Sequence, residues 1–298
     1  MNRQIVTSLF LFAFVFLSAA VWAQKPEKQL DQNKLDLASI NALITDTQTG
    51  EILFAKNAKS VTPIASLTKL MTAMVVLDAK LDLNELIDVQ INETKELKNV
   101  FSRVRVGSKL KRHEMLQLAL MSSENRAAAT LAFHYPGGTK AFVTAMNLKA
   151  KSLGMKNTQF VEPTGLSEHN LSNAEDLAKM LLAASSYEVI RELSTTVQTD
   201  SRFSKPRHTL NFVNTNPLIR NGKWDVALSK TGYIDEAGHC LVMLTKIKDR
   251  QVAMVFLDSF GKLSHFGDAM RVRQWLETGV SNKVPAAAKA YEKRKTQV

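Results

Sequence analysis

The sequence predicts an α+β fold in which one antiparallel sheet is assembled from both ends of the chain around a mostly helical insertion. Strand-like segments lie near the two ends, apolar residues at helical spacing fill the stretch between them, and no internal repeat interrupts this order. A chain of 298 residues with 45% hydrophobic residues suffices for a sizeable core. We therefore expect one folded domain with flanking tails.

The chain begins with a segment that is typical of a secretory signal peptide. Arg3 is the only charged residue before position 24, an apolar run covers residues 9–20, and Ala23 supplies a small side chain for a signal peptidase. We predict cleavage before Gln24 and export to the periplasm. A retained membrane anchor is the alternative, but the apolar run is shorter than the roughly 20 residues that span a bilayer.

The predicted elements follow in order behind a polar, aperiodic linker at residues 24–36. The folded domain is expected over residues 37–280, and a basic, solvated tail over residues 281–298. The predicted strands are 42–45, 51–55, 226–228, 240–247 and 252–257, and the predicted helices begin near Ser66 and cover 114–121, 125–133, 140–153, 175–185 and 268–276.

The charge balance and the cysteine count restrict the partners. The formal net charge is +11, or +10 once Arg3 leaves with the signal peptide, which suits an anionic partner. Nucleic acid is not expected, because an exported chain does not meet it and no helix-turn-helix, zinc-finger or RNA-reading motif is present. An anionic envelope polymer fits better, with at most peripheral membrane contact. The single cysteine, Cys240, cannot form an internal disulfide.

The motif Ser66-Leu67-Thr68-Lys69 is the most informative feature of the chain. Residues 65–77 contain no charge except Lys69, so its amine enters apolar surroundings, where a lysine tends to lose its proton and become a base. A spacing of three places both side chains on one face of a helix, and Ser66 lies at the positive end of the helix dipole. A base beside a serine hydroxyl predicts covalent catalysis.

Two further motifs are weak signals when each is taken alone. Ser123-Glu124-Asn125 lies between two helical segments, where Ser123 could simply cap the second helix. Lys230-Thr231-Gly232 follows a predicted strand, where a solvated turn is the simple alternative; in the functional interpretation Gly232 leaves room for a ligand backbone and the other two side chains hold a carboxylate. Ser-x-x-Lys itself recurs at Ser108 and Ser259, which we interpret as solvated loops or helix caps.

Ser-x-x-Lys, Ser-x-Asn and Lys-Thr-Gly, in this order on a helix, a loop and a strand, form the signature of penicillin-binding proteins and class A β-lactamases. The surrounding segments 63–74, 120–128 and 230–233 resemble the low-molecular-mass penicillin-binding proteins, specifically D-alanyl-D-alanine endopeptidases of the penicillin-binding protein 7 type. Further similarity at 151–155, 160–167 and 237–243 extends it over nearly the whole domain. The resemblance implies a β-lactamase/D,D-transpeptidase-like fold and makes residues 37–280 a catalytic domain.

The resemblance also implies a role for each motif residue. Ser66 attacks a D-alanyl carbonyl, Lys69 takes the serine proton, and Ser123 passes a proton to the leaving amine. Backbone N–H groups of Ser66 and Tyr233 face the oxyanion, a contribution of roughly 3 kcal/mol per donor. The implied substrate-binding residues are Asn125, Lys230, Thr231, Gly232 and Tyr233.

The implied reaction is cleavage of D-alanyl-meso-diaminopimelate cross-links in peptidoglycan, with β-lactams as covalent inhibitors. A D-alanyl-D-alanine carboxypeptidase and a non-catalytic wall-binding protein remain alternatives. The related carboxypeptidases usually carry a second, strand-rich domain, whereas only about twenty residues follow Leu276 here. Glu162-Pro163 is similar to the acidic element that activates the deacylating water in class A β-lactamases, but the following Thr164-Gly165-Leu166 fits the D,D-peptidase pattern.

A metal-dependent peptidase is the rival enzyme class, and histidine spacing argues against it. The six histidines form no His-Glu-x-x-His or comparable group, so we expect neither a metal nor another cofactor. The pair His239-Cys240 lies in an apolar predicted strand, where we interpret both side chains as core packing.

Overall fold

Five antiparallel strands in the order β2-β1-β11-β10-β9 join the two ends of the chain. They are β1 (Ser39–Asp46), β2 (Ile52–Lys56), β9 (Asp225–Ile234), β10 (Gly238–Ile247) and β11 (Arg250–Ser259). Because β1 pairs with β2 on one side and with β11 on the other, the N-terminal hairpin meets the C-terminal strands inside one sheet. The predicted assembly of the sheet from both chain ends is confirmed.

The computed structural model describes residues 30–297, and its insertion between β2 and β9 is mostly helical, as predicted. The helices are α1 (Thr68–Asp78), α2 (Arg112–Met121), α3 (Asn125–Phe133), α4 (Gly138–Ser152), α5 (Ala174–Ser185), α6 (Glu188–Thr195) and α7 (Pro217–Arg220). Three short strand pairs that the sequence did not predict are β3 (Thr62–Pro63) with β6 (Leu171–Ser172), β4 (Leu86–Asp88) with β5 (Lys109–Lys111), and β7 (Gln198–Phe203) with β8 (His208–Val213). The chain closes with α8 (Ser264–Thr278) and α9 (Ala286–Thr296).

The sheet separates two apolar cores because successive side chains on a strand point to opposite faces. On β11, Val255 and Leu257 join the larger core with the helical insertion, whereas Met254 and Phe256 join the smaller core under α8. Helix α1 lies deep inside the larger core, and all its residues from Thr68 to Val76 are buried. Lys69, which lies in the first turn of α1, is therefore shielded from solvent.

The N-terminal part of the described chain is tied to the body earlier than we expected. Leu35 is buried, and the indole Nε1 of Trp275 donates a hydrogen bond of 3.0 Å to the carbonyl of Asp31. Ordered structure therefore includes the described end of the segment that the sequence predicts to be a linker. The predicted signal peptide, residues 1–23, lies outside the described residues.

The C-terminal basic segment also differs from the expected solvated tail, because α9 packs against the body. Ala288 is buried in a small cluster with Ala38, and the hydroxyl of Tyr291 donates to the carboxylate of Asp258 at 2.5 Å. Lys56 forms an ion pair of 2.8 Å with Glu292 of this helix. Sequence patterning missed the contact because few of its groups are apolar. Across residues 30–297, no helix combines the length and hydropathy that a membrane crossing requires.

Candidate active site

The three motifs that the sequence singled out meet at one cleft of about 340 Å³. Ser66 lies in a 3-10 turn, Ala65–Leu67, that leads directly into α1. Ser123 lies in the short loop between α2 and α3, and Lys230 lies in β9, an edge strand of the large sheet. The side chains that line the cleft include Ser66, Ser123, Asn125, Thr231 and Tyr233.

Lys69 is a fully buried amine with three fixed neighbours. Its Nζ lies 2.8 Å from Ser66 Oγ, 2.7 Å from Asn125 Oδ1 and 2.6 Å from the carbonyl oxygen of Thr164. Burial lowers the pKa of Lys69 to about 8, although the nearby negative charges, that of Glu162 first, oppose the shift. A neutral amine has two hydrogens, which the amide and carbonyl oxygens accept, so its lone pair faces the serine hydroxyl. The pair is arranged for proton transfer from Ser66.

Two glycines allow the Ser66 turn to pack tightly on both sides. A Cβ atom on Gly165 would lie 1.9 Å from the carbonyl oxygen of Ala65, and one on Gly232 would lie 3.0 Å from the backbone nitrogen of Ser66. Ala65 itself has a positive φ of 47°, a conformation that is uncommon for residues other than glycine. On the side where a Cβ atom would project, the space at Gly232 is therefore filled by the backbone of this chain, while Gly232 also lines the cleft.

Ser123 is not the helix cap that the simple alternative suggested. The N-cap of α3 is Glu124, whose carboxylate accepts from the backbone N–H of Arg126 at 3.1 Å. Ser123 has a φ of 60°, and its Oγ accepts a hydrogen bond of 2.8 Å from Lys230 Nζ. Backbone strain at a polar residue inside a cleft is a feature of functional sites, because the surrounding structure must hold it.

Lys230 is buried inside the sheet and not in a solvated turn. Strand β9 continues through the motif, with Lys230 opposite Val242 of β10, so the predicted strand end at residue 228 was too early. Burial, and then the charge of Lys69, hold the pKa of Lys230 well below its usual range. Its Nζ donates to Ser123 Oγ and to the carbonyl of Thr231, each at 2.8 Å.

Thr231 forms a pair of hydroxyls with a residue that sequence reasoning missed. Thr231 Oγ1 donates to Thr215 Oγ1 at 2.7 Å, and both side chains line the cleft. Thr215 is held there because its backbone N–H donates to the carbonyl of Met121 at 3.0 Å. It belongs to no motif, and its position depends on the path of the chain between β8 and α7. Two adjacent hydroxyls can donate to both oxygens of a carboxylate.

The carboxylate of Glu162 is occupied by its own loop. One oxygen accepts from the backbone N–H and the hydroxyl of Thr164, and the other accepts from the N–H of Gly165 and from Asn170 Nδ2. These contacts shape the loop that carries the Thr164 carbonyl to Lys69. The residue that resembled a water-activating acid is thus engaged in holding the base.

The wall of the cleft beyond β9 contains side chains that the sequence did not flag. His239, Lys262 and His265 all line it, together with Tyr233. The interpretation of His239-Cys240 as core packing is correct for Cys240, which is buried; burial raises the pKa of its thiol to about 12. The same interpretation is wrong for His239, which lines the cleft. His239 is the cross-strand partner of Tyr233, so alternation along β10 turns it towards the cleft.

The repeated Ser-x-x-Lys motifs do not form second sites of the Ser66 type. Ser108 Oγ donates to the carbonyl of Arg105 at 2.6 Å, and Ser259 Oγ lies 2.6 Å from Ser39 Oγ in the sheet. Among residues 30–297, no three or more His, Cys, Asp or Glu side chains are grouped to hold a metal ion.

Known proteins resemble this chain over most of its length. Residues 26–261 match the family model described as D-alanyl-D-alanine carboxypeptidase. The chain is 54% identical over 291 residues to the D-alanyl-D-alanine endopeptidase of Pseudomonas aeruginosa, covering 98% of this chain and 94% of that protein. It is also 54% identical over 278 residues to the D-alanyl-D-alanine endopeptidase of Escherichia coli K12, covering 93% and 87%.

Solved structures share the fold. The crystal structure of the Streptomyces K15 DD-transpeptidase matches with a TM-score of 0.76 and 26% identity, covering 82% of this chain and 98% of that chain. Penicillin-binding protein D2 from Listeria monocytogenes, in its cefotaxime-bound form, matches with a TM-score of 0.71 and 26% identity, covering 82% and 99%. The predicted β-lactamase/D,D-transpeptidase-like fold is confirmed.

Proposed function

The chain belongs to the D-alanyl-D-alanine carboxypeptidase family of serine peptidases, and on that premise we propose that it is a periplasmic endopeptidase that cleaves D-alanyl-meso-diaminopimelate cross-links in peptidoglycan. The observation that carries the proposal is the 2.8 Å contact between Lys69 Nζ and Ser66 Oγ at the start of a buried helix. Two relatives at 54% identity are both named D-alanyl-D-alanine endopeptidase, which favours cross-link cleavage over release of terminal D-alanine.

In the acylation step, Ser66 Oγ attacks the carbonyl carbon of the D-alanyl residue and gives its proton to the lone pair of Lys69 Nζ. The oxyanion is stabilised by the backbone N–H groups of Ser66 and Tyr233, a contribution of roughly 3 kcal/mol per donor. The C–N bond then breaks, and Ser123 relays the proton onward, giving its hydroxyl proton to the departing amine and receiving the one that Lys69 took from Ser66. Lys230 supports this transfer because its Nζ holds Ser123 Oγ at 2.8 Å.

The substrate lies along β9 in an extended conformation. β9 is an edge strand of the sheet, so a peptide can add to it through backbone hydrogen bonds. Asn125 orients the peptide amide beside Ser66, and Thr231 with Thr215 receives the carboxylate of the leaving group. Lys230 holds Ser123 at this end of the cleft, and Gly232 keeps the strand close to the Ser66 turn.

Hydrolysis of the acyl-enzyme by water completes the turnover. Penicillins and other β-lactams acylate Ser66 in the same way but are released slowly, which makes them covalent inhibitors. The contacts of Glu162 support this proposal, because its carboxylate already accepts four hydrogen bonds of 2.8 Å or shorter from its own loop. A class A β-lactamase needs such a carboxylate to activate water.

Export to the periplasm is the localisation that fits this substrate. The cationic start, the apolar run and the small residue at Ala23 support a cleaved signal peptide, and the basic net charge of +11 suits an anionic wall polymer. Contact with the membrane is at most peripheral. Protein recovered from the periplasm should have the mass of a chain that starts at Gln24; an unprocessed mass would contradict the proposal.

Chromatography of muropeptides tests the activity. Purified cross-linked dimers and pentapeptide monomers are incubated separately with the processed protein and, as the blank, with its Ser66→Ala variant. We expect dimers to disappear and monomers to form only with the unchanged protein. Release of terminal D-alanine from pentapeptide without loss of dimers would establish the carboxypeptidase instead. No change in either substrate would contradict both assignments and favour a wall-binding protein.

A further inference from the structure

Three aromatic rings form a continuous stack at one wall of the cleft. Tyr233 of β9 and His239 of β10 lie face to face, with ring centroids 4.2 Å apart and an angle of 24° between the planes. His239 in turn lies parallel to His265 at the start of α8, with centroids 5.3 Å apart. We call Tyr233, His239 and His265 the ring stack. The catalytic steps above use the backbone of Tyr233 but none of these rings.

The ring stack has an unfilled hydrogen-bonding position. His265 is 2% exposed, and its Nδ1 has no hydrogen-bond partner among residues 30–297. Buried polar atoms in native proteins almost always have a partner, so an ordered water is expected to supply one. His265 lines the cleft, as do Lys262 and His239 beside it, but its Nδ1 has almost no accessible surface, so a molecule bound in the cleft meets the other ring atoms of the stack.

The two histidine rings of the stack are uncharged, and the ring of Tyr233, which is 52% exposed, suits contact with hydrocarbon. Burial lowers the pKa of His265 to about 3, and burial together with the charge of Lys262 lowers the pKa of His239. Both imidazole rings are therefore neutral at the pH of the periplasm. Neutral aromatic rings bury methylene groups well and still offer a polar edge.

The position of the stack relates it to the leaving group. Thr231 and Tyr233 are two residues apart on β9, so their side chains share a face of the strand. His239 is the cross-strand partner of Tyr233 on that face. A leaving group whose carboxylate is bound at Thr231 consequently carries its side chain beside the rings.

We propose that the ring stack binds the aliphatic arm of diaminopimelate in the leaving group and so favours cross-link cleavage over release of D-alanine. This inference rests on the proposed function. D-Alanine has only a methyl group, whereas diaminopimelate has three methylenes that lead to a second amino-acid centre. Four extended C–C bonds span roughly 5 Å, which carries the arm from a carboxylate at Thr231 along β9 to the exposed ring of Tyr233, two residues further on.

The test compares the cleavage of two substrates by variants of His239. The kcat/KM for a cross-linked dimer and for a pentapeptide monomer is measured in His239→Ala, in His239→Phe and in His208→Ala. His208 is a matched control, because it also stacks on an aromatic ring, Phe203 at 4.8 Å, but belongs to the β7–β8 hairpin and does not line the cleft. The rate of acylation by penicillin, which lacks the arm, reports whether each variant is folded.

We expect the dimer-to-pentapeptide ratio of kcat/KM to fall about tenfold in His239→Ala, to return most of the way in His239→Phe, and to stay unchanged in His208→Ala. An unchanged ratio in His239→Ala, with the two activities falling together, would overturn the inference and leave the proposed function intact. If the unchanged protein cleaves pentapeptide but no dimer, the proposed function fails first and the inference fails with it.

Discussion

Lys69 Nζ lies 2.8 Å from Ser66 Oγ, and the lysine is completely buried one helical turn after the serine. The amine has two other fixed acceptors, Asn125 Oδ1 and the carbonyl of Thr164, which determine where its lone pair points once it is neutral. A residue that would be an ordinary cation at the surface is thereby placed as a base. We expect the activity and its pH dependence to follow from this contact and from the groups that maintain it.

The rate of acylation should increase with pH. Burial lowers the pKa of Lys69 to about 8, and only its neutral form can take the proton of Ser66. We expect the second-order rate constant for penicillin acylation to be about one hundredth of its plateau at pH 6, about half of it at pH 8, and to level off above about pH 9. Stopped-flow measurement of acylation from pH 6 to 9 checks this. A flat profile would show that Lys69 is not the titrating base.

Replacing Glu162 by glutamine should move that profile to lower pH. The charge of Glu162 raises the pKa of Lys69 against the effect of burial, so its removal lowers this pKa further. The plateau rate should also fall, because the loop that presents the Thr164 carbonyl loses a charged acceptor. Glu168→Gln, an exposed change close by, serves as the control and should leave the profile in place. A shift to higher pH in Glu162→Gln would contradict the electrostatic account.

Two adjacent serines offer a matched test of proton transfer. Ser123 Oγ accepts from Lys230 Nζ, whereas Ser122 Oγ donates back to the carbonyl of Leu118 at 2.8 Å. Ser123→Ala should lower kcat for dimer cleavage about 100-fold or more, the usual effect of losing an acid-base group. Ser122→Ala should change kcat less than about threefold, within the range of a surface substitution. An equal decrease of kcat in both variants would contradict the proposed role of Ser123 in proton transfer.

Gly165 and Gly154 both have a positive φ, but only Gly165 packs closely against another segment. Alanine substitutions at the two positions therefore distinguish the cost of a steric clash from the cost of backbone strain. A Cβ atom on Gly165 would lie 1.9 Å from the carbonyl of Ala65, whereas one on Gly154 meets no heavy atom within 4 Å. Gly154→Ala should cost about 1 kcal/mol of folding free energy, from backbone strain alone, with activity retained. Gly165→Ala should lower stability by roughly 3 kcal/mol or more and displace the Ser66 turn. Urea unfolding and penicillin acylation measure the two effects; equal losses would contradict the packing account.

The sequence predicted those parts of the site whose reacting side chains lie within a few residues of one another. Ser66 and Lys69 share a helical turn, so their contact follows from helical geometry. The meeting of this turn with Ser123 and Lys230 could be expected only because the order of the three motifs resembles a known family. Local patterning alone left a helix cap and a solvated turn as the simpler interpretations, and both were wrong.

The missed parts of the site depend on contacts between distant segments. Thr215 reaches the cleft through its bond to Met121, and His265 does so because α8 begins beside β10. Neither position has a local signal. His239 did have one, since alternation along β10 separates it from the buried Cys240, but the apolar neighbours suggested a core pair. The packing of α9 was missed because polar bonds such as Tyr291 to Asp258 leave no hydrophobic pattern.

The most direct test of the account is to map the residue that forms the acyl-enzyme. Processed protein is incubated with penicillin at pH 8, digested, and examined by tandem mass spectrometry, with Ser66→Ala and Lys69→Ala as controls. We expect one adduct, on Ser66, that is absent from Ser66→Ala and at least about 100-fold slower to form in Lys69→Ala. An adduct on another residue, or undiminished labelling without Lys69, would contradict the assignment of Ser66 as nucleophile and Lys69 as its base.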